Sequence, residues 1–206
     1  MIPVNVLAVR YLNNVAPTLA ESLGAPSLGL LTTDCDDATY IALDAATKAA
    51  DVRVTYGRSF YAGAANASTP NAGEVIGVLA GPTPGAVRSG MEAALAALER
   101  VGFEEVNGVP YLAHTVASVG SFLAQEAGVA QGSAIAYLIA PPLESMYALD
   151  RALKAADVML CKLYTPPSET NFGGGLLSGT QSACQAACAA FAAAVAQVAA
   201  EPIKKE

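Results

Sequence analysis

Apolar residues fall along the chain in two alternating rhythms, one of period two and one of helical spacing, and the rhythms occur in the same order twice. In the first half, LGLLTTD at 28–34 is a short apolar run ending in polar residues and predicts a strand. Residues 42–51 switch to helical spacing, with Asp44 and Lys48 at i and i+4 in the favourable acid-before-base order. Val52, Val54 and Tyr56 then alternate with Arg53 and Thr55, the pattern of a half-buried strand. A stretch rich in Gly, Ala, Asn, Ser and Pro, 57–71, predicts a long loop, and a strand follows over 74–80. Thr83 and Pro84 then read as an N-cap and a proline at the first helical position, opening a helix to about Arg100.

The second half repeats this order. The eleven residues 42–52 (ALDAATKAADV) recur at 148–158 (ALDRALKAADV) with nine identities, so Asp150 and Lys154 restate Asp44 and Lys48. A second match aligns the run from Gly81 with the run from Gly179 at an offset of 98 rather than 106, which makes the second copy eight residues shorter between the two blocks. An internal duplication accounts for both matches. In the second copy, residues 164–171 and three glycines (Gly173, Gly174, Gly175) take the place of the long loop, and a last helix runs over about 182–199. The order β-α-β-loop-β-α in each half predicts an α/β fold of α+β-sandwich type, with small, mainly antiparallel sheets and helices packed on them. The expected domains are 1–107 and 108–206, divided at the Asn107-Gly108-Val109-Pro110 segment, with no disordered linker.

Composition adds a demand for partners. Hydrophobic residues make up 53% of the 206 and charged residues only 14%, against roughly 25% charged in an average soluble domain. So little polar material leads us to expect large subunit interfaces. The net charge of −7, with no basic run beyond Lys204 and Lys205, argues against a nucleic-acid partner. No apolar stretch reaches the roughly 20 residues of a membrane span by inspection, and 186–196 reads as a packed Ala-rich helix. The opening Met1-Ile2-Pro3 lacks the basic start of a secretory signal, so a cytosolic compartment is expected.

Chemistry-bearing residues are few, and the chain is not expected to be an enzyme. His114, the single histidine, sits in an apolar run and reads as a structural, hydrogen-bonded group. Cys184 and Cys188 stand at i and i+4 but lack the partners zinc needs, so no metal site is expected and the pair reads as packing. The glycine-spaced run 174–181 has Thr180 where a phosphate loop needs lysine, and Asn66-Ala67-Ser68 is a formal glycosylation sequon. The strongest local charge is acidic: Asp34, Asp36 and Asp37, either a solvated turn that caps the following helix or part of a site. At the offset of 106, Ala38 maps to Glu144, so the second copy carries a carboxylate at the corresponding corner. Converging carboxylates with an aromatic such as Phe103 nearby would suit a small ammonium-bearing ligand. An enzyme acting on amines through these carboxylates is the third reading, and a trimeric small-molecule sensor of signalling type the second.

The long runs TTDCDDATYIALDAATKAADVRVTYGRSFYAGAANASTPNAGEV, YLIAPPLESMYALD and TPPSETNF resemble the L-type ethanolamine-utilisation shell proteins of bacterial microcompartments, over nearly the whole chain. The resemblance implies a tandem, circularly permuted pair of microcompartment shell domains of ferredoxin-like type, whose homotrimer forms a disc of six pseudo-equivalent units and tiles with other shell proteins. It implies a gated central pore for metabolites, closed or opened by the segments 57–71 and 164–175, with Arg58, Phe60, Tyr61, Asn66, Ser168, Glu169, Asn171 and Phe172 as pore-loop residues. It places Lys48 and Lys154 at the tile edge, where the residues alone read equally well as surface ion pairs. It also implies small acidic pockets between the two domains that bind ethanolamine, through Asp36, Asp37, Glu74, Phe103 and Glu144, one pocket per chain. No cofactor is required. Docking of cobalamin is a further implication, which no residue of the sequence identifies.

Overall fold

The helical and strand rhythms fold into fifteen elements. The computed structural model describes residues 1–60, 74–166 and 171–203, and within these β4 is described without the Glu74 side chain and β3 without that of Phe60. In chain order the elements are β1 (Val6–Asn13), α1 (Pro17–Leu23), β2 (Ser27–Thr33), α2 (Asp36–Ala49), β3 (Arg53–Phe60), β4 (Glu74–Gly81) and α3 (Pro84–Leu98). They continue with β5 (Glu104–Val106), β6 (Val109–Val116), α4 (Ser121–Ala127), β7 (Ala134–Ala140), α5 (Pro142–Ala155), β8 (Val158–Tyr164), β9 (Gly173–Gly179) and α6 (Gln181–Ala200). The chain divides into an N-terminal unit, Pro3–Gly102 with Gly120–Leu123, and a C-terminal unit, Met1–Ile2, Phe103–Val119 and Ala124–Glu206.

The N-terminal unit is a four-stranded antiparallel sheet of order β1-β2-β4-β3. Helices α2 and α3 pack side by side against it. Strands β2 and β4 are largely buried on both faces, and on one of them Leu28, Val78 and Ala80 pack with Leu12, Val15 and Leu23 in a separate apolar cluster. Thr83 caps α3 as its sequence predicts, accepting from the Ala86 N–H at 3.2 Å.

The C-terminal unit has the order β5-β6-β7-β9-β8, again antiparallel throughout. All seven residues of β7 are buried, which explains its unbroken apolar run. On one face Ala134, Ala136 and Leu138 meet α5 and α6 through Leu149, Ala187, Phe191 and Val195. Small residues at these positions let the helices approach the strands closely.

The duplication extends to fine detail. Helices α2 and α5 both span 14 residues, displaced by 106 positions. The order β1-β2-β4-β3 recurs as β6-β7-β9-β8, and a bulge interrupts β3 between Val54 and Tyr56 just as one interrupts β8 between Leu160 and Lys162.

Several expectations need correction. Each half begins with a strand and a short helix, β1-α1 and β6-α4, that the β-α-β-loop-β-α pattern omitted. The bulge at Thr55 breaks the predicted alternation of β3 and leaves Tyr56 exposed. The loop expected at 57–71 starts later, because β3 continues through Phe60, and Gly173, Gly174 and Gly175 are strand residues of β9. The same strand occupies most of the glycine-spaced run 174–181, which lacks the lysine of a phosphate loop, and Thr180 caps α6 by accepting from the Ala183 N–H at 3.1 Å. Finally, α6 is, by length and composition, apolar enough to cross a membrane, contrary to the expectation that no stretch is; as the reading of 186–196 expected, it is a packed helix, with one face, Cys184 to Val195, in the core of the C-terminal unit. The Asn107-Gly108 segment, where the two halves were expected to divide, forms the turn of the β5–β6 hairpin with both residues at positive φ, 50° and 80°.

Candidate functional site

Strand β2 delivers three carboxylates at its end, and the fold gives them different tasks. Asp34 is 2% exposed and accepts from the backbone N–H and the side-chain amide of Asn5 at 2.8 and 2.6 Å. It fastens the segment that leads into β1. Asp36 and Asp37 form the first turn of α2, where negative charge complements the helix dipole. Both are 7% exposed, so the solvated-turn reading does not hold. No side chain caps this helix at Cys35; the Asp37 N–H instead meets the Asp36 carboxylate at 2.9 Å. Burial, and next the charge of Asp37, push the Cys35 thiol well above its ordinary range, so it stays neutral beside them. Two adjacent, enclosed carboxylates can hold a small cation by charge-assisted hydrogen bonds.

Two further pocket candidates belong to the C-terminal unit. Glu144 lies half-buried in the first turn of α5, and Phe103 is buried against Phe172 at a ring separation of 5.7 Å, both in the C-terminal unit. The Glu74 side chain falls outside what is described. Among the pore-loop candidates, Arg58 is an exposed β3 residue, Phe60 ends that strand, Asn171 is exposed with φ 64°, and Phe172 is buried on Phe103. Tyr61, Asn66, Ser168 and Glu169 lie outside the described residues, as does the sequon.

The two repeated ion pairs form in both halves with opposite surroundings. Lys154 Nζ meets Asp150 Oδ2 at 2.8 Å on an exposed helix face. Lys48 Nζ meets Asp44 Oδ2 at 3.3 Å, but the Asp44 side chain is wholly buried. It accepts the backbone N–H groups of Gly120 and Leu123 at 2.8 and 2.9 Å, while the Thr47 hydroxyl accepts that of Ser121 at 3.1 Å. Sequence reasoning missed this role of Asp44, since its partners lie over seventy residues away and nothing local distinguishes it from Asp150. His114 is half-buried in β6. Cys188 donates to or accepts from Thr115 at 3.3 Å, and burial pushes its thiol up to about 11; the Cys184 thiol is raised by burial too. Neither is poised as the thiolate a metal requires.

Twin antiparallel sheets, each backed by a helix pair, repeat one domain architecture in both halves of the chain. Residues 27–110 match the family model of the microcompartment shell domain, described as "BMC domain". The chain is 56% identical to the bacterial microcompartment shell protein EutL of Clostridium perfringens, over 97% of this chain and 95% of that protein. A crystal structure of the ethanolamine utilization protein EutL from Leptotrichia buccalis superposes with a TM-score of 0.91 at 56% identity, covering 99% of this chain and 98% of that one. The trimeric shell protein PduB shares the fold, with a TM-score of 0.82 at 18% identity over 95% of this chain and 89% of that one. The chain is a bacterial microcompartment shell protein. Within that class it belongs to the EutL family, and it is not an enzyme.

Proposed function

We propose that three copies of the chain form a disc of six shell-domain units that tiles, with other shell proteins, into the wall of an ethanolamine-utilisation microcompartment in the cytoplasm. The observation that carries this reading is the depth of the duplication. A twin whose halves agree in strand order, helix length and bulge position presents two nearly equivalent edges, and threefold assembly of such twins approximates sixfold symmetry. The low charge of the chain supports it, since subunits that bury their edges need little polar cover. So does the shared fold with a shell protein whose structure is described as trimeric.

The disc carries a metabolite pore on its axis, gated by the segments 57–71 and 164–175. Ethanolamine is the pocket ligand. Its ammonium group is held by Asp36 and Asp37, the two enclosed carboxylates at the start of α2. The ligand biases the gate only by binding one of its states more tightly. Titration calorimetry tests the pocket: ethanolamine binding is expected for the native chain, and Asp36→Asn with Asp37→Asn is expected to weaken it about a hundredfold. Equal affinity of the double variant, or no heat from the native protein, refutes the assignment.

A further inference from the structure

The N-terminal unit closes one of its faces with a piece of chain from the second half of the sequence. Beyond the hydrogen bonds to Asp44 and Thr47, the Phe122 ring tilts onto Tyr40 at 6.0 Å. It also lies over Gly57, where an added Cβ would sit 3.5 Å from Phe122 Cζ. Gly120–Leu123 therefore covers a seat built by α2 and β3.

The duplication identifies the same seat and the same cover in the other half. At the offset of 106, Tyr40, Asp44, Thr47 and Gly57 correspond to Met146, Asp150, Leu153 and Leu163 on α5 and β8. At an offset of 104, residues 120–123 correspond to 16–19. Two backbone features fix that second offset: the Ala25 N–H donates to the Ala20 carbonyl as the Val129 N–H does to Ala124, at 3.1 and 3.0 Å, and Gly24 and Gly128 each follow the short helix in left-handed conformation. In the single chain both equivalents are largely exposed, with Leu153 half-buried against the core of the C-terminal unit. Leu123 is fully buried, whereas Leu19 is 42% exposed. Met146 and Leu163 are 46% and 41% exposed, and the Asp150 side chain is 52% exposed against 0% for Asp44.

We propose that the α5–β8 face bearing Met146, Asp150, Leu153 and Leu163 is the seat for residues 16–19 of a second copy of this chain. The inference rests on the trimer proposed above and names the contact that builds it. Its warrant is that cover and seat have changed together. Where the Ser121 N–H meets the Thr47 hydroxyl in one half, Pro17, which has no N–H, faces Leu153, which has no hydroxyl. Where a large ring lies over a glycine, the small Thr18 faces the large Leu163, so volume is conserved. Asp150 keeps the carboxylate at the seat, where it pairs with Lys154, while the Leu19 N–H, the equivalent of Leu123's, donates to the Ala16 carbonyl at 2.9 Å and leaves the Ala16 N–H as the donor facing it. Ala16 carries the Cβ that Gly120 lacks, which at Gly120 would collide with Thr47 and Asp44, so this seat stands further off than the in-chain one.

Sedimentation of the full chain over a dilution series tests the contact. Thr18→Phe is expected to raise the concentration at which the trimer half-dissociates about tenfold or more, by driving a ring into Leu163. Leu163→Ala alone is expected to weaken the trimer by emptying the seat, and the double variant, which rebuilds the first-half arrangement, is expected to recover most of the loss. Both side chains are exposed in the single chain, so circular dichroism of each variant is expected to match the native protein. A native chain that is monomeric at every concentration overturns the trimer itself. A native trimer with single variants that assemble normally, or with losses that merely add in the double variant, overturns this contact and leaves the trimer standing.

Discussion

Asp44 and Asp150 occupy the same position of the same repeated helix, yet one is buried and the other exposed. The difference decides what each contributes. An exposed i,i+4 ion pair contributes at most about 0.5 kcal/mol, while a buried carboxylate that accepts two backbone N–H groups cannot be removed without leaving both of those donors unsatisfied. Asp44→Ala is therefore expected to cost about 3 kcal/mol in urea unfolding, and a loss under about 1 kcal/mol would show that water replaces the carboxylate. The sequence made the pair itself legible, because acid-before-base spacing on a helix is a local signal. The burial was not, since it depends on Gly120 and Leu123. The acidic corner divides in the same way: three neighbouring aspartates were visible as a charge cluster, but only the structure separates Asp34, which fastens Asn5, from Asp36 and Asp37 on the helix turn.

At the scale of elements, helices were legible from their spacing in α2, α5 and α6, and from spacing and cap together in α3. Strand β9 was not, because its three leading glycines carry the composition of a loop. The reason they are glycine is steric. Gly174 has φ of 150°, and a Cβ there would run into the Leu138 carbonyl of the neighbouring strand β7. Gly108 also has positive φ, 80°, but has open space around it. Gly174→Ala is accordingly expected to destabilise the chain by about 3 kcal/mol or more in denaturant unfolding, against about 1 kcal/mol for Gly108→Ala, where backbone strain acts alone. Equal costs would mean that β9 shifts freely to relieve the contact. Tyr56 was misread for a related reason: alternation assumes an unbroken ladder, and a bulge inverts it.

For the molecule as a whole, the duplication was the most legible feature, since it writes the same rhythm twice, and it also set the expectation of buried edges. What the pattern could not convey is which pieces each unit takes from the far half. If Lys48 and Lys154 lie at tile edges, changing both to alanine is expected to abolish ordered two-dimensional sheets in electron microscopy while leaving the trimer mass unchanged; intact sheets would return both lysines to simple ion pairs. The exchange of segments has a further result during synthesis. Residues that complete the N-terminal unit, Gly120–Leu123, emerge well after the rest of it, and Ile2, among the first residues made, waits to donate its N–H to the carbonyl of Phe103. On the ribosome the leading half cannot mature by itself: its Asp44 carboxylate stays without its backbone donors until translation has passed the middle of the message.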